Sequence, residues 1–73
     1  MFNTKEKFKK QVLAEIDEYL EEKRKELDET YSKIEGYSKS KDKFHIEYET
    51  QNLKRIEAKI CAASDLKIIV KFM

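Results

Sequence analysis

Large aliphatic residues recur at intervals of seven positions in the first half of the chain, and one more fills an intermediate position. These residues, called the α1 seam below, are Leu13, Ile16, Leu20, Leu27 and Ile34. Because an α-helix repeats every 3.6 residues, residues at this spacing lie along one side of a helix. The pattern predicts one long charged helix, α1, over residues 4–35, with Asn3 as its N-cap and Gly36 as the residue that ends it.

Apolar and polar residues alternate with a period of two in parts of the second half. The alternating apolar positions are Phe44, Ile46 and Tyr48 in one stretch, and Leu66, Ile68, Val70 and Phe72 in another. Alternation of this kind is typical of β-strands that bury one face. One strand is therefore predicted in each stretch.

Residues 53–63, between these stretches, fit either a strand or a helix. The strand would bury Ile56, Ala58, Ile60 and Ala62, whereas the helix would carry a stripe of Leu53, Ile56, Ile60 and Ala63. We choose the strand, because two strands alone are marginally stable in water and a third strand stabilises the sheet.

These elements predict an α+β fold in a single small domain of residues 1–73. A long N-terminal helix over residues 1–36 and a loop over residues 37–43 precede a C-terminal antiparallel β-meander of about three strands over residues 44–73. The helix packs on the apolar face of the meander. The alternative is a helix plus two strands with a second short helix at residues 53–63.

The predicted helix is longer than the sheet that would cover it. It would extend about 48 Å at 1.5 Å per residue, whereas strands of about seven residues span roughly 23 Å. Part of the α1 seam would therefore lie beyond the sheet, and a second copy of the chain is the simplest cover for it. The sequence thus predicts a homodimer that associates through the α1 seam.

Composition limits the classes of protein that the chain can belong to. Its 73 residues are 42% charged and 40% hydrophobic, which leaves little apolar material for a core and favours oligomerisation. The net charge of +1 is too small to indicate nucleic-acid binding by charge alone. A lone cysteine, Cys61, indicates a reducing cytoplasm, and the scarcity of arginine beside lysine is typical of a low-GC bacterium or its phage. No apolar run is long enough to cross a membrane.

The titratable side chains form no pattern that is typical of catalysis. His45 is the only histidine and Cys61 the only cysteine, so neither a metal site nor a nucleophile with its base is predicted. The carboxylates of the first helix spread over its solvent side and are not paired across a cleft. We therefore predict a non-enzymatic protein without a catalytic site, a cofactor or a metal.

The predicted function is to bind and occlude another macromolecule, as small inhibitors of host machinery from phages and mobile elements do, including anti-defence proteins. The partner would be a protein, and two polar surfaces would contact it. They are the helix residues Glu18, Glu22, Lys25 and Glu29 and the strand residues Glu47, Glu49, Glu57 and Lys59.

Two clusters of lysines suggest an alternative function, the binding of phosphate, nucleotides or nucleic acid. Lysines in the first turn of a helix oppose its dipole, and together with free N–H groups they suit an anion. The lysines in question are Lys5, Lys9, Lys10, Lys39, Lys41 and Lys43. The near absence of arginine, and the acidic residues that follow the first cluster, make this the less favoured prediction.

Overall fold

Two long α-helices connected by a tight turn make up the computed structural model, which describes residues 4–73. Helix α1 covers Thr4–Lys39 and helix α2 covers Lys43–Lys71, and the two pack side by side in opposite directions as a helical hairpin. The predicted α+β fold is wrong, since residues 4–73 contain no strand and hence no β-meander over residues 44–73. The predicted cap Asn3 lies outside the described residues.

The alternation that predicted strands has a different cause in each stretch. Phe44 and Tyr48 are exposed on α2, and only Ile46 between them is half-buried. Near the end of α2, apolar residues point in several directions around the helix, and of the four alternating positions only Val70 is buried. In each stretch one apolar side chain faces α1, and the apolar residues two positions before and after it are exposed. Together they produce an alternation with a period of two.

The residues of α2 that face α1 follow the alternating three- and four-residue spacing of a coiled coil. These residues, called the α2 seam, are Ile46, Glu49, Leu53, Ile56, Ile60, Ala63, Lys67 and Val70, and all are buried or half-buried. Glu49 and Lys67 interrupt the apolar pattern, so the helical spacing of this seam is not evident from the sequence. The alternative fold, with two strands and a short second helix at residues 53–63, is wrong as well. These residues are helical, but they belong to the long helix α2, and no strands flank them within residues 4–73.

The turn lies later than the sequence predicts. Gly36 lies inside α1 without a positive φ, so it does not end the helix at residue 36. The chain reverses at Lys41, whose φ of 57° is in the left-handed region. Asp42 then caps α2, because its side chain accepts a hydrogen bond from the backbone N–H of His45 at 3.2 Å. The predicted loop of residues 37–43 therefore shrinks to residues 40–42.

Two contacts across the hairpin show which residues of the two halves lie at the same level. Lys67 Nζ lies 2.5 Å from Asp17 Oδ1, and Lys9 Nζ donates to the carbonyl oxygen of Met73 at 3.4 Å. Residues whose numbers add up to between 82 and 84 therefore lie at the same level along the hairpin. We call the end that carries residues 40–42 the loop end and the other end the open end.

The core of the hairpin is small and lies mainly toward the open end. Its main cluster combines the buried residues Ile16, Leu20, Ala63 and Val70 with the half-buried Val12, Leu13 and Ile60. Toward the loop end, two polar residues are buried between the helices, Thr30 of α1 and Glu49 of the α2 seam, which are 3% and 7% exposed. The α1 seam, predicted to serve self-association, lies in the contact with α2 of the same chain.

An isolated hairpin of this shape exposes more surface than a compact monomer. Its accessible surface is 6269 Å², whereas a monomeric protein of 8.8 kDa is expected to expose about 4,800 Å². The radius of gyration is 17.1 Å, against roughly 11 Å for a compact chain of this length. The molecule is a rod with Cα extents of 61 × 15 × 11 Å.

Candidate interaction surface

An apolar groove runs between the two helices on one side of the hairpin near the open end. Its volume is about 490 Å³ and it is lined by Val12, Glu15, Ile16, Tyr19, Lys59, Ala62, Ala63 and Leu66. Most of the lining is hydrocarbon, and the groove is wide open to solvent. It is therefore a surface on which another molecule can lie and not an enclosed ligand pocket.

The heptad spacing explains why these residues share one side. Val12 and Tyr19 each stand one position before a residue of the α1 seam, and Leu66 stands one position before Lys67 of the α2 seam. In an antiparallel pair of helices these flanking columns lie next to each other. Phe8 precedes Val12 by four positions and Ile69 follows Ala62 by seven, so both continue the same surface toward the open end.

We call this surface the apolar face and define it as Phe8, Val12, Tyr19, Ala62, Leu66 and Ile69. Phe8, Leu66 and Ile69 are about half or more exposed. Exposed apolar residues that stand singly are ordinary, but a contiguous apolar patch on a small protein marks an interaction site. Sequence reasoning missed this surface, because it is formed by two helices and α2 was interpreted as strands.

Charged residues border the apolar face and continue it toward the loop end. Glu15, Glu22 and Glu29 follow one another at intervals of seven along the outer edge of α1, so this edge is acidic. Arg55 and Lys59 lie on the α2 edge, which is basic. All five are exposed, and none of them makes an ion pair within residues 4–73. The two edges of the surface thus carry opposite charge.

The polar residues that lie between the helices differ in how completely their hydrogen-bonding atoms find partners. Lys23 donates to Glu26 at 3.0 Å, and this hydrogen bond is the main reason why the pKa of Lys23 is raised above its ordinary value. Thr30 donates its hydroxyl proton to the carbonyl oxygen of Glu26 at 2.8 Å. Glu49 differs from both, because its Oε2 atom is buried and has no hydrogen-bond partner in the described structure. Such a group costs free energy that an apolar residue would not.

The predicted partner-binding residues do not form two coherent surfaces. Glu18, Glu22, Lys25 and Glu29 do lie exposed along the outer side of α1. The predicted strand face does not exist, because residues 44–73 contain no sheet. On α2, Glu47, Glu57 and Lys59 are exposed and point in different directions around the helix, while Glu49 is buried in the α2 seam.

The predicted phosphate-binding lysines are divided between the two ends of the rod. Lys5, Lys9 and Lys10 belong to the open end, and Lys39, Lys41 and Lys43 belong to the loop end. The hairpin is 61 Å long, so the two clusters cannot hold one phosphate group together. Lys39 also lies 3.8 Å from the carboxylate of Glu35.

His45 takes part in the cap of α2. Its ring Nδ1 lies 2.5 Å from Asp42 Oδ2, and the ring stacks on Tyr37 with centroids 4.7 Å apart. The pKa of Asp42 is lowered, first by the hydrogen bond from the backbone N–H of His45. Cys61 is exposed and lies sixteen residues further along α2, so it is roughly 24 Å from His45. Within residues 4–73, no group of three or more His, Cys, Asp and Glu side chains is placed to hold a metal ion.

Comparison of the chain with protein-family models, with curated proteins and with solved structures finds no match. Neither of the described helices has a stretch of hydrophobic residues long enough to cross a bilayer.

Proposed function

We propose that this chain is a non-catalytic binding protein that docks on another protein surface through its apolar face. The observation that carries the proposal is the contiguous patch of exposed Phe8, Leu66 and Ile69 around the groove between the helices. In this mode of recognition, apolar side chains at helical spacing fill the groove of the other molecule, and charged edges select the partner.

The predicted occlusion of another macromolecule is compatible with this surface. A rod of two helices covers a long strip of its partner, and it acts by occluding that strip without turning over a substrate. We place this activity in a reducing cytoplasm, where the exposed thiol of Cys61 stays free, and we retain the class of small inhibitors from phages and mobile elements as the proposed biological setting.

The lysine clusters give less support to a nucleic-acid or phosphate-binding function. A nucleic-acid site needs a continuous basic surface that follows the phosphate backbone. Here Lys9 and Lys43 lie near opposite ends of the rod, and the acidic edge of α1 lies between the clusters.

Site-specific photo-cross-linking in the cells that express the protein tests the proposed function. A photoreactive amino acid replaces Leu66 on the apolar face or, as the control, Cys61 on the outer side of α2. We expect strong adducts from position 66 and weak ones from position 61, since only the first lies in the docking surface. Equal yields from both positions, or none from position 66, would show that the apolar face is not the docking surface.

A further inference from the structure

We propose that the occupant of the apolar face is a second copy of this chain, bound in a two-fold dimer whose axis runs parallel to the hairpin. The open ends of the two copies lie together, and α1 of each copy packs on α2 of the other to form a four-helix bundle. This inference rests on the proposed function, since it names a second copy as the protein on which the apolar face docks. The apolar face is covered in the dimer, so a further macromolecule would be occluded by the polar outer sides of the dimer.

The area of the face suits a dimer of this chain. Half of the 61 Å length, multiplied by a width of roughly 20 Å for two helices with their side chains, gives the apolar half an area of about 600 Å² per copy. The whole side has about twice this area, against the ~800 Å² that each partner of a stable interface buries. The hairpin also exposes about 1,500 Å² more than a compact monomer of its mass. Covering one side in each copy removes most of this excess.

The distribution of apolar residues decides how the copies are oriented. The apolar face occupies the open-end half of its side. The loop-end half carries the charged residues Glu22, Glu29 and Arg55, together with one exposed aromatic residue, Tyr48. With the axis parallel to the hairpin, the two copies overlap over their full length, and the apolar half of one copy packs on the apolar half of the other. If the second copy were turned end for end, full overlap would lay the apolar half on charged residues, and partial overlap would leave the charged halves uncovered.

The edge charges favour the same orientation. With the axis parallel to the hairpin, the α1 edge of one copy lies opposite the α2 edge of the other at the same level. The register of the hairpin places Glu29 level with Arg55, and Glu22 within two or three positions of the level of Lys59. The acidic edge therefore meets the basic edge twice in each dimer. Glu22, Glu29, Arg55 and Lys59 gain partners of opposite sign, whereas Glu15 lies level with Ile69 and gains none.

Sedimentation equilibrium over a concentration series, on the full-length chain, tests whether the copies pair. We expect a mass of twice 8.8 kDa for the unchanged chain. Leu66→Asp should raise the dissociation constant about 100-fold or more, because two copies of the substitution place charge in the apolar contact. Ile68→Asp is the matched control, since Ile68 is 55% exposed, against 49% for Leu66, and lies outside the apolar face.

Either of two results would overturn the pairing. One is a monomeric mass for the unchanged chain at every concentration; the other is an equal loss of association in the two variants. If the chain is a monomer, its apolar face can still dock on a different protein. Adducts from position 66 whose masses differ from twice that of the chain would show such a partner. No adducts and no dimer would remove both proposals.

Cysteine cross-linking between mixed variants tests the orientation. Both chains carry Cys61→Ser, and one carries Glu22→Cys while the other, marked by an affinity tag, carries Ala62→Cys. These positions lie at the same level on opposite edges, so a short bis-maleimide should link the two chains to each other. If each variant instead links mainly to itself, the copies are turned end for end and the proposed orientation is wrong.

Discussion

Replacement of Glu49 by leucine should stabilise the hairpin. Glu49 occupies a position of the α2 seam, is 7% exposed, and leaves its buried Oε2 atom without a hydrogen-bond partner. By the register of the two helices it lies level with Ile34 of the α1 seam. A leucine at this position would extend the apolar packing of the seam and remove the unpaired oxygen.

The size of the effect follows from two contributions. Full burial of a leucine side chain contributes about 1.5–3 kcal/mol, and removal of an unsatisfied buried polar atom saves about 1–3 kcal/mol. Two helices alone cannot enclose the side chain completely, so a total of about 2–3 kcal/mol is reasonable. For a chain of this size the melting temperature should then rise by roughly 10–20 °C. Glutamate and leucine have similar helix propensities, so the helix itself contributes little to the difference.

Circular dichroism at 222 nm, recorded during heating at one fixed protein concentration, measures the change. Glu47→Leu is the control, because Glu47 lies on the same helix two positions away and is exposed. The control should change the free energy of unfolding by no more than about 0.5 kcal/mol. If Glu49→Leu melts at or below the temperature of the unchanged chain, the carboxylate of Glu49 has a partner in solution and the reasoning fails.

Two further substitutions test the helix ends. Gly36→Ala should raise the free energy of unfolding by about 1 kcal/mol in the same melts, because Gly36 lies inside α1 and a Cβ there would meet no atom within 4 Å; a loss of stability would place the end of α1 at Gly36 after all. Asp42→Asn keeps a capping side chain without its charge. Because hydrogen bonding lowers the pKa of Asp42, its contribution is present above the ordinary Asp range and is lost as the pH falls through the lowered pKa. Melting temperatures between about pH 6 and about pH 2 should therefore fall less in the Asn variant than in the unchanged chain, and parallel curves would contradict the role of this carboxylate.

The sequence predicted α1 well because five aliphatic residues mark its seam without ambiguity. It failed for α2 because Glu49 and Lys67 occupy seam positions, and because exposed aromatic residues such as Phe44 imitate a strand. Lys67 is tolerated there because its ammonium group reaches the carboxylate of Asp17. That pairing depends on the register of the two helices, so no local pattern in the sequence predicts it.

The same dependence hid the candidate site. Tyr19 and Leu66 are 47 positions apart, and the sequence patterns assign them to different kinds of element, Tyr19 to the first helix and Leu66 to a strand. They become one surface only when α2 is recognised as a helix that runs antiparallel to α1. The sequence did contain one signal of this surface. Val12 and Tyr19 each precede a residue of the α1 seam by one position, so both lie in the column that flanks the seam.

The two ends of the hairpin are held together in different ways, and this difference explains where its apolar residues lie. At the loop end the turn already holds the helices together, because closing so short a connection costs little entropy; a contact between the helices that contains Thr30 and Glu49 suffices there. The open end has no covalent link between the helices within residues 4–73. There the seam residues Leu13 and Val70, which belong to the core cluster, adjoin Val12 and Ile69 of the apolar face. A second copy docked on this face would deepen the core where the hairpin is most liable to fray. Association and folding of the open end would then be coupled, because a ligand that binds only the folded form stabilises it.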